Sequence, residues 1–373
     1  MPPNRPDLVR IRLARLPLLA LGIASLAAGV WGGLLRLPVA LPVTPLAGTW
    51  VAWHGPIMVC CFLGTVIGLE RAVGLQMWWP YGGPILTAAG ALGLIGAVEG
   101  SVPVLLLTVG SAWFTVVAWR VVRLQPEKFM IIMAVGATAW LIGNGLWLSG
   151  RSIFEVVPWW MAFLGLTIIG ERLDLGRFQK RPPWAQPLLL GILAVVGAGV
   201  VAAGFFPANG ERVLGAGLVL AAVWLARFDL ARTTVRHEGL PRFMSVCLLV
   251  GYVWLAAAGA MLVAFAPLQV GYHYDAALHS FFLGFVFSMI FGHAPVIFPA
   301  VLVLRPFYTP AFYVHVAVLH AGLALRLGGD LSGWLPARQW GGVIGAVALA
   351  LFLVNTVRAV VRSLLPPTAA GAK

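Results

Sequence analysis

The feature that most limits what this chain can fold into is a succession of apolar runs, each about 20 residues long and separated by short polar links. A helix needs about 20 apolar residues to cross a bilayer, where each backbone polar group must find its partner inside the segment. The runs predict twelve spans, at about residues 13–35, 46–69, 79–98, 102–123, 128–149, 156–173, 187–206, 212–230, 243–266, 275–301, 308–327 and 340–361. A composition of 61% hydrophobic and 10% charged residues excludes a water-soluble fold. We therefore expect an all-α polytopic transmembrane bundle in which residues 1–373 form one integral-membrane domain.

The basic residues indicate how this bundle lies in the membrane. When they are assigned to loops in order, all but five of the 25 Lys and Arg residues fall on the side of the N-terminus. The five on the other side are Arg36, Arg151, Arg212, Arg326 and Arg338. Because basic loops stay cytoplasmic, this distribution predicts cytoplasmic N and C termini in a multi-pass protein of the cell (cytoplasmic) membrane. The net charge of +13 is sorted by loop rather than gathered on one face, which favours contact with membrane lipid and not with nucleic acid.

Two histidines in apolar spans are the strongest functional signal. His54 belongs to WHGPIMVCCFLGTVIGLER in the second predicted span, and His279 to HSFFLGFVFSMIFGH in the tenth. Ionisable side chains inside a membrane are costly and point to function. Both spans run from outside to inside and both histidines lie near the outer ends, so the imidazoles can meet at one depth. Neutral imidazoles bind haem iron and copper, and Gly55 and Gly284 would let a macrocycle or a helix approach closely. We predict that His54 and His279 bind a haem or a metal ion.

A second, more cytoplasmic metal site is a further prediction. His293 follows His279 on one stripe of the helix at about 21 Å along the axis, too far for the two to share an ion. Its partner would be His315 in the eleventh span. The alternative is structural, because Pro295 and Pro299 free backbone carbonyls that a histidine N–H could satisfy.

Copper has a candidate ligand set of its own. His54, Met58 and Cys61 recur at helical spacing, and soft sulfur ligands suit Cu(I). Methionine and cysteine also occur in apolar helices as packing residues. The set is therefore compatible with a copper site and with an ordinary helix face.

A short repeat indicates internal symmetry. Phe-Leu-Gly begins at Phe62, Phe163 and Phe282, in spans two, six and ten, and Glu70 and Glu171 follow the first two at one offset, each before an arginine. Spans four apart share a direction, so the repeat is compatible with a pseudo-threefold arrangement of four-helix units. The two glutamates are either proton-entry groups or interfacial ion pairs with their arginines.

The whole pattern resembles a known family. The two histidine strings and twelve predicted spans with both ends inside resemble the NnrS family of haem- and copper-containing bacterial membrane proteins linked to nitric oxide stress, themselves similar to haem-copper oxidase subunit I. The resemblance implies that His54 and His279 are haem ligands and that nitric oxide or another small gas is a partner. Oxidases also take three copper ligands from spans six and seven, where this chain has no histidine, so the resemblance does not extend to a binuclear centre.

Other functions fit the same residues. No Walker loop, Rossmann fingerprint, nucleophile elbow or HExxH motif occurs, which removes the usual ATPase, dehydrogenase and hydrolase interpretations. In a proton-coupled multipass transporter, the intramembrane histidines would relay protons or contact substrate. In a scaffold or assembly factor, all of them would tolerate substitution. Bound metal, proton-coupled uptake and tolerance of substitution distinguish the three hypotheses.

Overall fold

The computed structural model describes residues 5–304 and 307–364, and within them helices joined by short links make up the chain, with no strand. This confirms the all-α prediction. The twelve long helices are α1 (Arg5–Arg36), α2 (His54–Leu75), α3 (Gly82–Ile95), α4 (Val102–Leu124), α5 (Lys128–Leu148), α6 (Ile153–Leu175), α7 (Ala185–Ala203), α8 (Pro207–Phe228), α9 (Leu240–Phe265), α10 (Tyr272–Leu302), α11 (Phe312–Ser332) and α12 (Leu335–Leu364). Arg305 and Lys373, two of the basic residues used to predict the topology, lie outside the described residues.

Ten of the described helices are long and apolar enough to cross a membrane, so the chain is a multi-pass membrane protein. Two predicted spans are helical but fall outside that set. The helix in 79–98 is α3, which has only 14 residues, and the helix in 212–230 is α8, which carries Glu211 and Arg212 near its start. The count of twelve spans and the side on which the termini lie stay predictions.

Local sequence sets where the helices begin and end. Pro103 and Pro241 occupy the first turns of α4 and α9, where a missing N–H costs no hydrogen bond. α6 begins at a capping box formed by Ser152 and Glu155. α11 ends at Gly333, whose φ of 70° is a left-handed conformation that favours glycine. The resulting links are short, and α3 packs on α4, α5 on α6, α7 on α8, and α11 on α12.

Small residues bring neighbouring helices into close contact. A Cβ on Gly215 of α8 would lie 2.5 Å from the carbonyl oxygen of Gly259 on α9. Gly64 of α2 leaves the space that the ring of Trp140 fills, and Trp140 in turn stacks on Phe163 with ring centroids 4.7 Å apart. Inside a bilayer, close approach of this kind supplies the van der Waals contact that holds helices together.

α2 and α10 share an irregularity that the sequence period did not predict. Each contains a seven-residue π-helical stretch, Ile57–Leu63 in α2 and Ser280–Val286 in α10. The stretches begin three residues after His54 and immediately after His279. π-helical turns are rare and occur frequently at functional sites. The two helices that carry the predicted ligands are therefore distorted at matching places.

Candidate functional site

The structure brings His54 and His279 together. Their ring centroids are 6.3 Å apart, and the ring planes are inclined by only 13°. The two residues are 225 positions apart in the chain, so their proximity comes from the packing of α2 beside α10. Each ring lies just before a π-helical stretch. The arrangement is a pair of near-parallel imidazoles inside the bundle.

A carbonyl acceptor orients each of these imidazoles. His54 Nδ1 is 2.7 Å from the oxygen of Gly29 on α1, and His279 Nδ1 is 2.9 Å from the backbone oxygen of Asp275, one turn earlier on α10. Because a carbonyl only accepts, each Nδ1 carries the proton and donates it. Each Nε2 then has a free lone pair, and neither Nε2 bonds to any residue that the structure describes. Ligating histidines are held in this way, with one nitrogen fixed and the other available.

An ionic cluster lies behind His279. Asp275 accepts hydrogen bonds from Nε and Nη2 of Arg326, both at 2.9 Å, and its Oδ1 is 3.3 Å from His279 Nδ1. Arg338 of α12 pairs with Asp330 of α11 and places its Nη2 3.7 Å from the Asp275 carboxylate. The cluster therefore ties α11 and α12 to the turn of α10 that carries His279.

Sequence reasoning missed this cluster. Arg326 and Arg338 were treated only as outer-loop charges, and Asp275 was not singled out. The available signal was the spacing of Asp275 and His279, because residues four apart in a helix are neighbours on its surface. The partner arginines could not be found in this way, since they come from two other helices.

Glycines of α1 make room for the α2 histidine. A Cβ on Gly33 would lie 2.8 Å from His54 Cε1. Gly29, whose carbonyl binds His54, also packs against Met58, because a Cβ there would lie 2.5 Å from the Met58 Sδ. α1 therefore forms one wall of the histidine site, a role that the sequence did not reveal.

The two glycines singled out in the sequence have different surroundings. A Cβ on Gly55 would meet no atom within 4 Å. A Cβ on Gly284 would lie 2.5 Å from Trp254 of α9. Gly284 thus serves the packing of α9 on α10, whereas the space beside Gly55 is open.

The predicted copper set is only partly assembled. His54 and Met58 both face Gly29, but Cys61 is fully buried and no hydrogen bond or ring contact of the described residues joins it to His54. The set was predicted from regular helical spacing, which the π-helical stretch from Ile57 onward does not keep. Among the side chains that the structure describes, no group of three or more His, Cys, Asp or Glu is placed to hold a metal ion. A copper role for Met58 and Cys61 stays a prediction.

His293 is engaged at both ring nitrogens. Its Nδ1 donates to the backbone oxygen of Met289 at 2.7 Å, which is not one of the carbonyls that the following prolines free. Its Nε2 is 3.3 Å from Nη1 of Arg172 on α6 and must accept, because a guanidinium only donates. Arg172 also forms two hydrogen bonds with the buried Asp229, at 3.0 and 2.9 Å. His293 therefore belongs to a buried ion-pair network.

His315 faces different neighbours. Its ring is 1% exposed and packs edge-on against Phe291 at 4.7 Å, and its Nδ1 is 3.3 Å from the side-chain nitrogen of Asn355. His320, further along α11, accepts a hydrogen bond from Trp254 at 2.9 Å. The structure does not bring His315 to the nitrogen of His293 that Arg172 occupies, and a metal role for either residue stays a prediction.

α2, α6 and α10 meet around a partly open cavity. Its lining includes equivalent positions of the three Phe-Leu-Gly repeats, four and eight residues after each phenylalanine: Val66, Thr167 and Val286, then Glu70, Glu171 and Ile290. The two glutamates therefore face inward. Arg71 Nη2 is 3.7 Å from Glu171 Oε1, so one ion pair joins the repeat on α2 to the repeat on α6.

The fold and the site define a multi-pass membrane protein with a pair of facing intramembrane histidines. The chain belongs to the family described as Domain of unknown function (DUF8744), whose model matches residues 15–361. No curated protein and no solved structure matches the chain.

Proposed function

We propose that this protein holds a haem between His54 and His279 in the bacterial cytoplasmic membrane, as its resemblance to the NnrS family implies. The observation that carries the proposal is the 6.3 Å separation of two imidazoles, each with an Nε2 that bonds to none of the described residues. Two metal–nitrogen bonds of about 2 Å each, with about 1 Å from each nitrogen to its ring centre, place two imidazoles roughly 6 Å apart across a metal. The donor chemistry also fits, since neutral imidazole is a common haem ligand.

The surrounding residues would hold the ligands in place. Gly29 and the Asp275 backbone fix the Nδ1–H tautomer of each ring, which directs the Nε2 lone pairs away from these acceptors. The Asp275 carboxylate, held by Arg326, adds a second acceptor near His279 Nδ1 and strengthens that imidazole as a ligand. A bound haem supplies reversible one-electron chemistry.

The two histidines also decide which chemistry is favoured. If both histidines held the haem iron, nitric oxide would have to displace one of them in order to bind it. We therefore favour electron transfer or redox sensing in a nitric oxide response over gas binding at this site.

The finer topology belongs to the same proposal. Twelve spans, cytoplasmic termini and a pseudo-threefold arrangement draw support from the sorting of basic residues and from the repeat positions around one cavity. Copper as a second metal draws support only from Met58 beside His54 at Gly29.

Purification after expression with added haem tests the proposal. Absorption spectra and iron and copper analysis of the detergent-solubilised protein should give about one haem per chain, as expected from one pair of axial ligands. Colourless protein free of iron and copper would contradict it. His237→Ala, a change in an exposed loop, is the control and should leave the haem content unchanged.

A second candidate function is proton-coupled transport. The cavity with Glu70 and Glu171 in its lining favours it, because carboxylates inside a membrane mark substrate or proton pathways. Proton-coupled uptake into vesicles by protein without metal would support transport over haem binding.

A further inference from the structure

The cavity between α1, α2, α6, α10 and α12 is separate from the histidine pair. Its lining starts at Phe62 on α2, eight residues beyond His54, and at Val286 on α10, seven residues beyond His279. The cavity is partly open, and its empty volume of about 1040 Å³ includes that open space. A ligand bound here would therefore lie partly inside the cavity and partly outside it.

Most of the cavity wall is apolar. Four polar or ionisable residues line it, namely Thr167, His293, Glu70 and Glu171. Both nitrogens of His293 are bonded, whereas the buried Thr167 hydroxyl has no hydrogen-bond partner in the part of the chain that the structure describes. The Thr167 hydroxyl and the two carboxylates are therefore the polar groups left for a ligand.

The charges of this lining are unbalanced. Among the described residues, the cavity lining contains two carboxylates and no Lys or Arg. Glu171 has Arg71 beside it at 3.7 Å, but Glu70 has no ion pair and no hydrogen bond with any residue in the described ranges. Two nearby arginines already have other hydrogen-bond partners. Arg172 donates to Asp229, and Arg15 donates to Tyr81 and to the carbonyl of Val301.

We propose that this cavity binds a lipophilic organic cation whose charged head pairs with Glu70 and whose apolar body covers the cavity wall. An unpaired carboxylate inside a membrane is costly, and a cation removes that cost. A bare inorganic cation fits less well, because hard cations take about six or more oxygen ligands and this lining offers mainly hydrocarbon. A lipophilic cation can also reach the site from the bilayer.

Two probes of equal shape and opposite charge test the proposal. The full-length protein in nanodiscs is titrated with tetraphenylphosphonium and, separately, with tetraphenylborate. Saturable binding of about one tetraphenylphosphonium per chain is expected, as is at least about ten-fold weaker binding of tetraphenylborate. Equal binding of both probes, or saturable binding of neither, would overturn the proposal.

Variants locate the site. Glu70→Gln keeps the shape of the side chain and should weaken tetraphenylphosphonium binding by about ten-fold or more, as the loss of a charged partner predicts. Ile290→Trp, at the equivalent position of the third repeat, should also weaken it by filling the cavity. Glu99→Gln, in an exposed turn, should have no effect. Unchanged binding in both Glu70→Gln and Ile290→Trp, with the protein still monodisperse, would overturn the assignment to this cavity. Because the assay does not require haem, its failure would leave the proposed haem site untouched.

Discussion

His279 and His293 lie on the same helix and make the same local hydrogen bond, yet their surroundings differ. Each Nδ1 donates to the carbonyl four residues earlier, at 2.9 Å in His279 and 2.7 Å in His293. The Nε2 of His279 has no partner among the described residues and its ring lies beside that of His54, whereas the Nε2 of His293 accepts from Arg172. The local helix therefore fixes the tautomer, and the partner helix decides whether the second nitrogen is available to a ligand.

Replacing each of these two histidines with alanine is expected to give the largest difference in haem binding. His279→Ala should remove essentially all bound haem, because one axial ligand is lost from a two-histidine site. His293→Ala should retain it, since that ring is bonded to a protein cation. The haem content per chain, measured by pyridine haemochrome, checks both. Retention in the first variant and loss in the second would reverse the assignment.

Removing Asp229 from its buried ion pair with Arg172 should give the next largest effect, which is on stability. Asp229→Ala leaves Arg172 buried without its partner, which should lower the free energy of unfolding by about 3–5 kcal/mol. Thermal unfolding in detergent measures this. Asp174→Ala is the control, because its pair with Arg177 is largely exposed and is worth about 0–1 kcal/mol. Similar losses in the two variants would refute the structural role of the inner network.

The carboxylate behind His279 should matter for ligation more than for folding. Asp275→Asn keeps the shape of the side chain but weakens the acceptor beside His279 Nδ1, and haem affinity should fall by about 10–100-fold. Asp330→Asn is the comparison and should have a smaller effect, because Asp330 pairs with Arg338 and reaches Asp275, but makes no hydrogen bond or ion pair with His279 among the described residues. Equal affinities in the two variants would show that the cluster only braces the helices.

The smallest expected effect is that of filling the space beside Gly33, a glycine of α1 that packs against His54. Gly33→Ala puts a Cβ 2.8 Å from His54 Cε1, and overpacking of this kind costs about 1–3 kcal/mol and should displace the ring. A shifted haem absorption band together with a lower melting temperature is expected. Gly55→Ala has no neighbour within 4 Å and should be neutral or slightly stabilising. An unchanged spectrum in Gly33→Ala would place the haem away from His54.

Much of the fold could be predicted from the sequence, because apolar runs about 20 residues long have few alternatives to membrane-spanning helices. Each of the twelve predicted spans contains a helix, although only ten of the described helices are long and apolar enough to cross a membrane. The pairing of His54 with His279 was also predictable, since both lie at similar depth in spans of one direction. Contacts between distant helices were not predictable. Gly29 on α1 and Arg326 on α11 have no sequence pattern that connects them to the histidines, and π-helical stretches do not follow from residue period.

The most direct test of the central claim is electron paramagnetic resonance of the oxidised protein. Two imidazoles that share one ferric haem should give a low-spin signal, and this signal should disappear in both His54→Ala and His279→Ala while persisting in His293→Ala. A high-spin signal in the unaltered protein, or a low-spin signal that survives in either of the first two variants, would contradict the account.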